Sequence, residues 1–256
     1  MSTRTATFRQ RFLAGEPLAG TFLKTPAYEL VEVLSQAGLD FLCFDAEHAP
    51  FDRARLDACL AVARALDFPV LVRPGSATPE NILQALDSGA VGIVAPHVTS
   101  GAEAAALAKA ARYGHGGRGY AGSSRWAGFA TRSMPELLQQ SREETLVIAQ
   151  IEDPEAVEAA DEIAGTDGID GLFLGPADLS VAWGYDHQTS DQLKEALASV
   201  GAAAAKHAKG YATFVANAEA AAKIAHHGFT LFCVASEHSW MRSAAMVDAK
   251  GIHALK

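Results

Sequence analysis

Val147-Ile148-Ala149-Gln150-Ile151-Glu152 and, further on, Gly171-Leu172-Phe173-Leu174-Gly175-Pro176-Ala177-Asp178 are short apolar runs that each end in a carboxylate. A buried strand delivers a polar side chain to the rim of a sheet in this way. The segment between them opens with Asp153-Pro154-Glu155 and carries Ala156, Val157, Ala160 and Ile163 at helical spacing. Residues 147–178 therefore read as strand, helix (within residues 153–170), strand. A crossover of that kind makes the strands parallel. Ligands bind at the carboxyl ends of parallel strands, which puts Glu152 and Asp178 on one face and within reach of a common cation. A second reading makes Asp153 and Asp178 helix N-cap acids. Spacing alone leaves both readings open.

Outward from this unit, runs rich in Val, Ile, Leu and Phe recur at residues 18–23, 41–44, 70–73, 91–95, 146–151, 171–174, 212–215 and 231–234. Helical patterns follow the first four, at 27–37, 53–66, 79–88 and 102–111, and Gly38, Gly89 and Gly228 stand where C-caps belong. Eight such units in 256 residues predict an α/β fold, the (β/α)8 TIM barrel. A doubly wound sheet would need five or six strands and a glycine-rich first turn, and neither is present. No Pro/Ser/Gly tract, like-charge block or low-complexity run divides the chain, so residues 1–256 read as one domain.

An apolar share of 49% suits a substantial core. The net charge of −9, with no basic stripe, argues against nucleic acid as a partner. No apolar run is long enough to span a bilayer. Residues 1–11 lack the apolar region of a secretory signal, which points to the cytoplasm. Cys43, Cys59 and Cys233 are odd in number and far apart, as buried thiols in a reducing compartment would be, and no zinc spacing occurs.

Reactive residue types collect after the strands: Asp45-Ala46-Glu47-His48-Ala49-Pro50 after the second, Arg73-Pro74 at the third, Pro96-His97 after the fourth and Ser236-Glu237-His238 after the eighth. Acid, histidine and arginine thus recur at one register of successive units, which points to a site at that rim. Glu47, His97 and His238 are candidate rim residues. So are Ser123 and Ser124 of the long irregular segment 113–133, a loop length that is usually functional. Lys24 follows the first strand and is the one candidate for a Schiff base, with a solvated surface lysine as the alternative. His115, His187, His207 and His253 read as solvated, and His226-His227 as residues favouring a helix C-terminus.

Nearly the whole chain resembles the metal-dependent (class II) aldolases that cleave 4-hydroxy-2-oxoheptanedioate and 2-keto-3-deoxy sugar acids, relatives of the citrate lyase beta chain. The resemblance is carried by Phe44-Asp45-Ala46-Glu47-His48-Ala49-Pro50, Val72-Arg73-Pro74, Asp87-Ser88-Gly89-Ala90-Val91-Gly92-Ile93, Arg118-Gly119, Gln150-Ile151-Glu152 and the stretch from Gly168 to Ser180. It implies that Glu152 and Asp178 bind Mg²⁺, Mn²⁺ or Co²⁺, and that Arg73, Gln150, Gly175, Pro176 and Ala177 contact a 2-keto acid. It implies that His48 is the acid/base, oriented by Asp45 or by Asp87, the latter delivered from an adjacent subunit. It further implies a homo-oligomer, a hexamer, with an exchanged C-terminal helix. The chain departs from the family pattern at residues 120–129 and at Ser236-Glu237-His238-Ser239-Trp240, both expected to face the aldehyde end of the substrate.

The chemistry agrees with those roles. Cleaving C3–C4 of a 4-hydroxy-2-keto acid leaves the enolate of pyruvate, so the site needs an electron sink at the C2 oxygen and a base for the C4 hydroxyl. A hard divalent ion on two carboxylates keeps positions open for the substrate. An arginine adds fixed positive charge at the developing enolate, and a histidine suits proton transfer near neutral pH. The expected activity is reversible cleavage of a 4-hydroxy-2-keto acid to pyruvate, or a related 2-keto acid, and an aldehyde. Rivals are a citrate synthase-like condensing enzyme or an oxaloacetate decarboxylase on the same site, and a non-catalytic keto-acid-binding barrel.

Overall fold

In the computed structural model, which describes residues 3–255, the eight apolar runs are eight parallel strands joined in sequence order into a closed barrel. They are β1 (Leu18–Leu23), β2 (Phe41–Asp45), β3 (Val70–Arg73), β4 (Gly92–Ala95), β5 (Leu146–Ile151), β6 (Gly171–Leu174), β7 (Gly210–Val215) and β8 (Leu231–Ser236). Met1 and Ser2 of the N-terminal stretch lie outside the described residues. The predicted (β/α)8 barrel is the fold observed.

Side-chain alternation along the strands sorts two cores. Phe22, Phe41, Cys43, Leu71, Ile148, Phe173 and Cys233 point inward and fill the barrel. Leu42, Phe44, Val70, Val72, Val147, Ala149, Leu172 and Leu174 point outward and pack under the helices. These helices are α2 (Tyr28–Ser35), α3 (Arg53–Ala65), α4 (Pro79–Ser88), α5 (Gly101–Ala111), α7 (Pro154–Glu158), α8 (Ala160–Gly165), α9 (Pro176–Ala182), α10 (Asp191–Lys206), α11 (Ala218–Ile224) and α12 (Glu237–His253). Two more precede strands, α1 (Arg4–Leu13) before β1 and α6 (Met134–Glu144) before β5. Phe8 and Phe12 of α1 join the interior core and close the N-terminal mouth. The Phe12 ring lies 2.6 Å from where a Cβ on Gly171 would stand, so that strand start must be glycine for the plug to seat.

The single helix expected across residues 153–170 is instead α7 and α8, separated by Ala159 at φ −88° and ψ 4°, outside the helical region. Gly89 and Gly228 are left-handed helix caps (φ 119° and 94°), whereas Gly38 lies two residues beyond the cap of α2 at Gln36. No helix among the described residues is long and apolar enough to cross a membrane.

Candidate active site

The inward alternation continues past the strand ends, and it aims the polar residues. Cys43 is followed in phase by Asp45 and Glu47, Leu71 by Arg73, Ile148 by Gln150 and Glu152, and Phe22 by Lys24. Lys24, His48, Arg73, Gln150, Gly175 and Asp178 line one cavity of about 250 Å³ at the carboxyl ends of the strands, with Phe22, Phe173 and Phe214 as its apolar floor and wall.

Arg73 is 7% exposed and anchored on three sides. Its Nη2 lies 2.9 Å from Asp45 Oδ2, and its Nε lies 3.2 Å from Asp45 Oδ1 and 3.1 Å from Glu47 Oε2. The guanidinium also stands 4.6 Å from the centre of the Phe22 ring. Asp45 is fully buried, and burial, the largest single influence, would raise its carboxyl; the hydrogen bond and charge of Arg73, with the His48 N–H and the Lys24 charge, together outweigh that and hold it below the ordinary carboxylate range. Asp45 Oδ1 further accepts the backbone N–H of Glu47 at 3.3 Å and of His48 at 3.0 Å, and Lys24 Nζ lies 3.3 Å from Asp45 Oδ2. One carboxylate thus fixes the arginine and the turn that carries the histidine.

Glu152, 3% exposed, faces two ways. Its Oε1 accepts the backbone N–H of His97 at 2.9 Å, and its Oε2 accepts from Gln150 Nε2. Burial pushes the Glu152 carboxyl up, the His97 N–H opposes this, and the negative charges of Glu47 and Asp178 add to it. Gly175 lets Glu152 and Asp178 converge. A Cβ there would stand 2.9 Å from Glu152 Cβ and 3.4 Å from both Glu152 Oε2 and Asp178 Oδ2. The set suits a divalent cation: converging carboxylates, one held up in pKa, beside a buried Gln150 Oε1 with no hydrogen-bond partner. A further group that fits a metal ion is Glu47, His97 and Glu152, whose donor atoms lie within 4.8 Å of one another. His97 Nδ1 is 3.0 Å from Asp153 Oδ2, and that bond, first among the causes, raises the imidazole above its ordinary pKa.

These positions decide several expectations. Asp178 is no N-cap, because Gly175 holds that position and Asp178 lies in the first turn of α9; Asp153 occupies the N-cap position of α7 without a capping bond and binds His97 instead. The His48 ring is 59% exposed, with Glu47 Oε2 at 3.7 Å, and Asp45 reaches His48 only through its backbone N–H. Asp87 lies in the last turn of α4, which ends at the start of β4, the opposite end of the barrel, and it is bound there to Arg118. Ser123 and Ser124 are not at the rim, and segment 113–133 does not face the cavity. It folds back on α4, with Trp126 N donating to Asp87 O at 3.1 Å and Arg125 paired with Asp57 at 2.8 Å. The cause is Arg118, whose buried guanidinium lies over the Tyr113 and Trp126 rings at 4.7 and 5.0 Å and ties the loop to Asp87. His238 Nε2 bonds Thr25 Oγ1 at 2.7 Å. Glu237, one of the reactive residues after the eighth strand, takes a structural role. It is 2% exposed and accepts the N–H groups of Lys24 (2.9 Å) and Thr25 (2.6 Å), stapling α12 to the end of β1.

The sequence profile of the HpcH/HpaI aldolase/citrate lyase family matches residues 18–244. The chain belongs to that family. It is 31% identical over 253 residues, 95% of this chain and 96% of the relative, to a hydroxypyruvate/pyruvate aldolase of Paraburkholderia phytofirmans. To a 4-hydroxy-2-oxo-heptane-1,7-dioate aldolase of Shigella boydii it is 35% identical over 179 residues, 70% and 68% of the two chains. The crystal structure of an HpcH/HpaI aldolase/citrate lyase family protein from Burkholderia cenocepacia superposes with a TM-score of 0.91 at 30% identity, covering 97% of this chain and 99% of that one. As an HpcH/HpaI protein, the chain is a carbon–carbon lyase of the aldolase type.

Proposed function

We propose that this HpcH/HpaI enzyme reversibly cleaves a 4-hydroxy-2-keto acid to pyruvate, or a closely related 2-keto acid, and an aldehyde. The observation that carries the reading is that His48, Arg73, Gln150 and Asp178 line one cavity, with Glu152 converging on Asp178 at its wall. Glu152 and Asp178 would hold the divalent ion, Mg²⁺, Mn²⁺ or Co²⁺. When bound, that ion supplies positive charge for the carboxylate and keto oxygen of the substrate.

The remaining work falls to the chain's own groups. Arg73, locked by Asp45 and Glu47, presents a guanidinium that cannot swing away as negative charge grows on the C2 oxygen. Gln150 and the Gly175-Pro176-Ala177 backbone orient the keto acid. His48 at the mouth takes the proton of the C4 hydroxyl; the C3–C4 electron pair moves to the C2 carbonyl, C4 becomes the aldehyde, and the enolate gains a proton at C3 to give the keto acid. Phe22, Phe173 and Phe214 keep water from the enolate carbon.

The whole chain acts as one barrel domain in a closed homo-oligomer, a hexamer. Met241, Met246, Val247 and Ile252 on α12 are 59–72% exposed and are the face another copy would cover, and Asp87 would act on a neighbour's His48. Three buried free cysteines suit the reducing cytoplasm. The test incubates the enzyme with metal, pyruvate and a panel of aldehydes, oxaloacetate and acetyl-CoA, with products identified by mass. Aldol adducts of pyruvate are expected. Turnover confined to acetyl-CoA condensation or to oxaloacetate decarboxylation would replace the aldolase reading.

A further inference from the structure

The left-handed backbone at His97 (φ 54°) is a conformation that residues other than glycine adopt at a cost, and at functional sites such strain buys geometry. Here it does two things at once. The His97 N–H is turned onto Glu152 Oε1, and the ring is laid between two acids from different β/α units, with Nδ1 3.0 Å from Asp153 Oδ2 and Nε2 3.6 Å from Glu47 Oε1. Glu152 Oε1 lies 3.5 Å from Nδ1.

We infer that Glu47, His97 and Glu152 form a second cation site, distinct from the Glu152–Asp178 pair and sharing Glu152 with it. Three observations carry the inference. First, the two oxygens of Glu152 have different partners: Oε1 accepts the His97 N–H, while Oε2 accepts from Gln150 on the side of the Gly175 turn. One ion on the Oε2 side leaves the other lone pairs free. Second, Asp153 Oδ2 lies 3.0 Å from Nδ1, and Nε2, the ring nitrogen left over, is aimed at Glu47. A carboxylate behind the far ring nitrogen is how metal-binding imidazoles are usually held. Donors that share an ion at about 2.1 Å lie no more than roughly 4.2 Å apart; Glu47 Oε1 falls inside that span at 3.6 Å from Nε2, and one donor atom from each of Glu47, His97 and Glu152 lies within 4.8 Å of the others. Third, Glu47 is nearly buried, its side chain 11% exposed, and its ion-pair partner Arg73 is already shared with Asp45, so the carboxylate cluster carries more negative charge than the arginine answers.

The donor set also fixes the class of ion. A nitrogen ligand beside two carboxylates suits Co²⁺, Zn²⁺ or Mn²⁺, whereas Mg²⁺ prefers oxygen alone. The second site is therefore selective where the Glu152–Asp178 pair is not.

The inference rests on the metal reading proposed above, and stoichiometry separates the two. Full-length protein stripped with chelator is titrated with Co²⁺ and, separately, with Mg²⁺, by calorimetry and by metal analysis after dialysis; the visible absorption of Co²⁺ is followed in parallel. The wild type should take two equivalents of Co²⁺ and one of Mg²⁺. His97→Asn keeps a residue that tolerates the left-handed backbone while removing the imidazole. It should lose one Co²⁺ equivalent together with the nitrogen-dependent part of the spectrum, and keep its Mg²⁺. Asp178→Asn should do the reverse, losing Mg²⁺ and keeping one Co²⁺. A single Co²⁺ equivalent in the wild type, indifferent to His97→Asn, overturns the second site and leaves the proposed function standing. A single Co²⁺ equivalent in the wild type that both variants abolish overturns it too, by showing one ion shared among all four residues. No binding of either ion to the wild type removes both readings. Circular dichroism on each variant separates loss of a ligand from loss of fold.

Discussion

Replacing Gly175 by alanine would push apart two carboxylates without touching either. At φ −95° and ψ 90° the backbone is one that alanine adopts, so the effect is steric. The new methyl would stand 2.9 Å from Glu152 Cβ and 3.4 Å from Glu152 Oε2 and Asp178 Oδ2. Carbon atoms settle at about 3.5–4.0 Å, so Glu152 must retreat by roughly half an ångström or more. It cannot do so freely, because its Oε1 is tied to the His97 N–H and its Oε2 to Gln150. Overpacking of that kind costs about 1–3 kcal/mol of stability, and a displaced ligand or its support typically loses about 10–100-fold in metal affinity. Calorimetric titration with Mn²⁺ beside a thermal unfolding curve reads both numbers. Affinity and turnover equal to the wild type would mean that the carboxylates do not jointly hold the ion across Gly175.

His48→Ala should lose cleavage by about 10²-fold or more while pyruvate still binds, whereas Arg73→Ala should weaken cleavage and the exchange of pyruvate methyl protons with deuterated water together, as followed by NMR. Normal exchange and cleavage in Arg73→Ala would reduce the arginine to a distal anchor. Borohydride added to enzyme and pyruvate should leave the mass of Lys24 unchanged, since its Nζ is engaged beside Asp45; a reduced adduct there would make this a Schiff-base enzyme. Light scattering at micromolar concentration should report a closed oligomer that dissociates when α12 is removed, and a monomeric full-length chain would contradict the role given to that helix.

The barrel was legible because each strand is written as an unbroken apolar run, and the strand count follows from the runs. The polar ends of those runs were legible for the same reason: Arg73 and Gln150 stand in phase with inward-pointing neighbours, so the pleat itself aims them at the cavity. What was hidden depends on backbone conformation that residue type does not encode. Nothing in Pro96-His97 announces a left-handed histidine, so the bond between His97 and Asp153 was invisible and Asp153 read as a cap. The destination of segment 113–133 was hidden for another reason. Its length signals function, yet its direction is set by the Arg118–Asp87 pair across 31 positions, a tertiary contact that local pattern cannot supply. The stapling role of Glu237 was hidden because only the closed barrel brings the Lys24 and Thr25 N–H groups to it.

A site built to hold a cation should cost stability when the cation is withheld. Asp45, Glu47, Glu152 and Asp178 crowd one rim with Arg73 and Lys24 as counter-charges, and Glu152 is the buried member whose carboxyl is pushed up. Burial and its negative neighbours penalise the charged form of Glu152 in the folded state only. The folded protein therefore holds the proton at pH values where the unfolded chain, titrating near 4.5, has released it. That penalty is absent below the unfolded value, grows as pH rises through the folded value and is complete above it. Glu152→Gln removes the charge, and the introduced amide can donate to Gln150 Oε1, which has no partner now. In chelator at pH 7 the variant should melt above the wild type, and the gap should close as pH falls below about 4.5. Added Mn²⁺ should reverse the order. A ligand at a hundred times its Kd stabilises by about 2.7 kcal/mol, and the variant, short of one carboxylate, gains little of it. A variant that melts below the wild type in chelator at pH 7 would show that Glu152 is held by the fold itself and carries no cost for the ion to relieve.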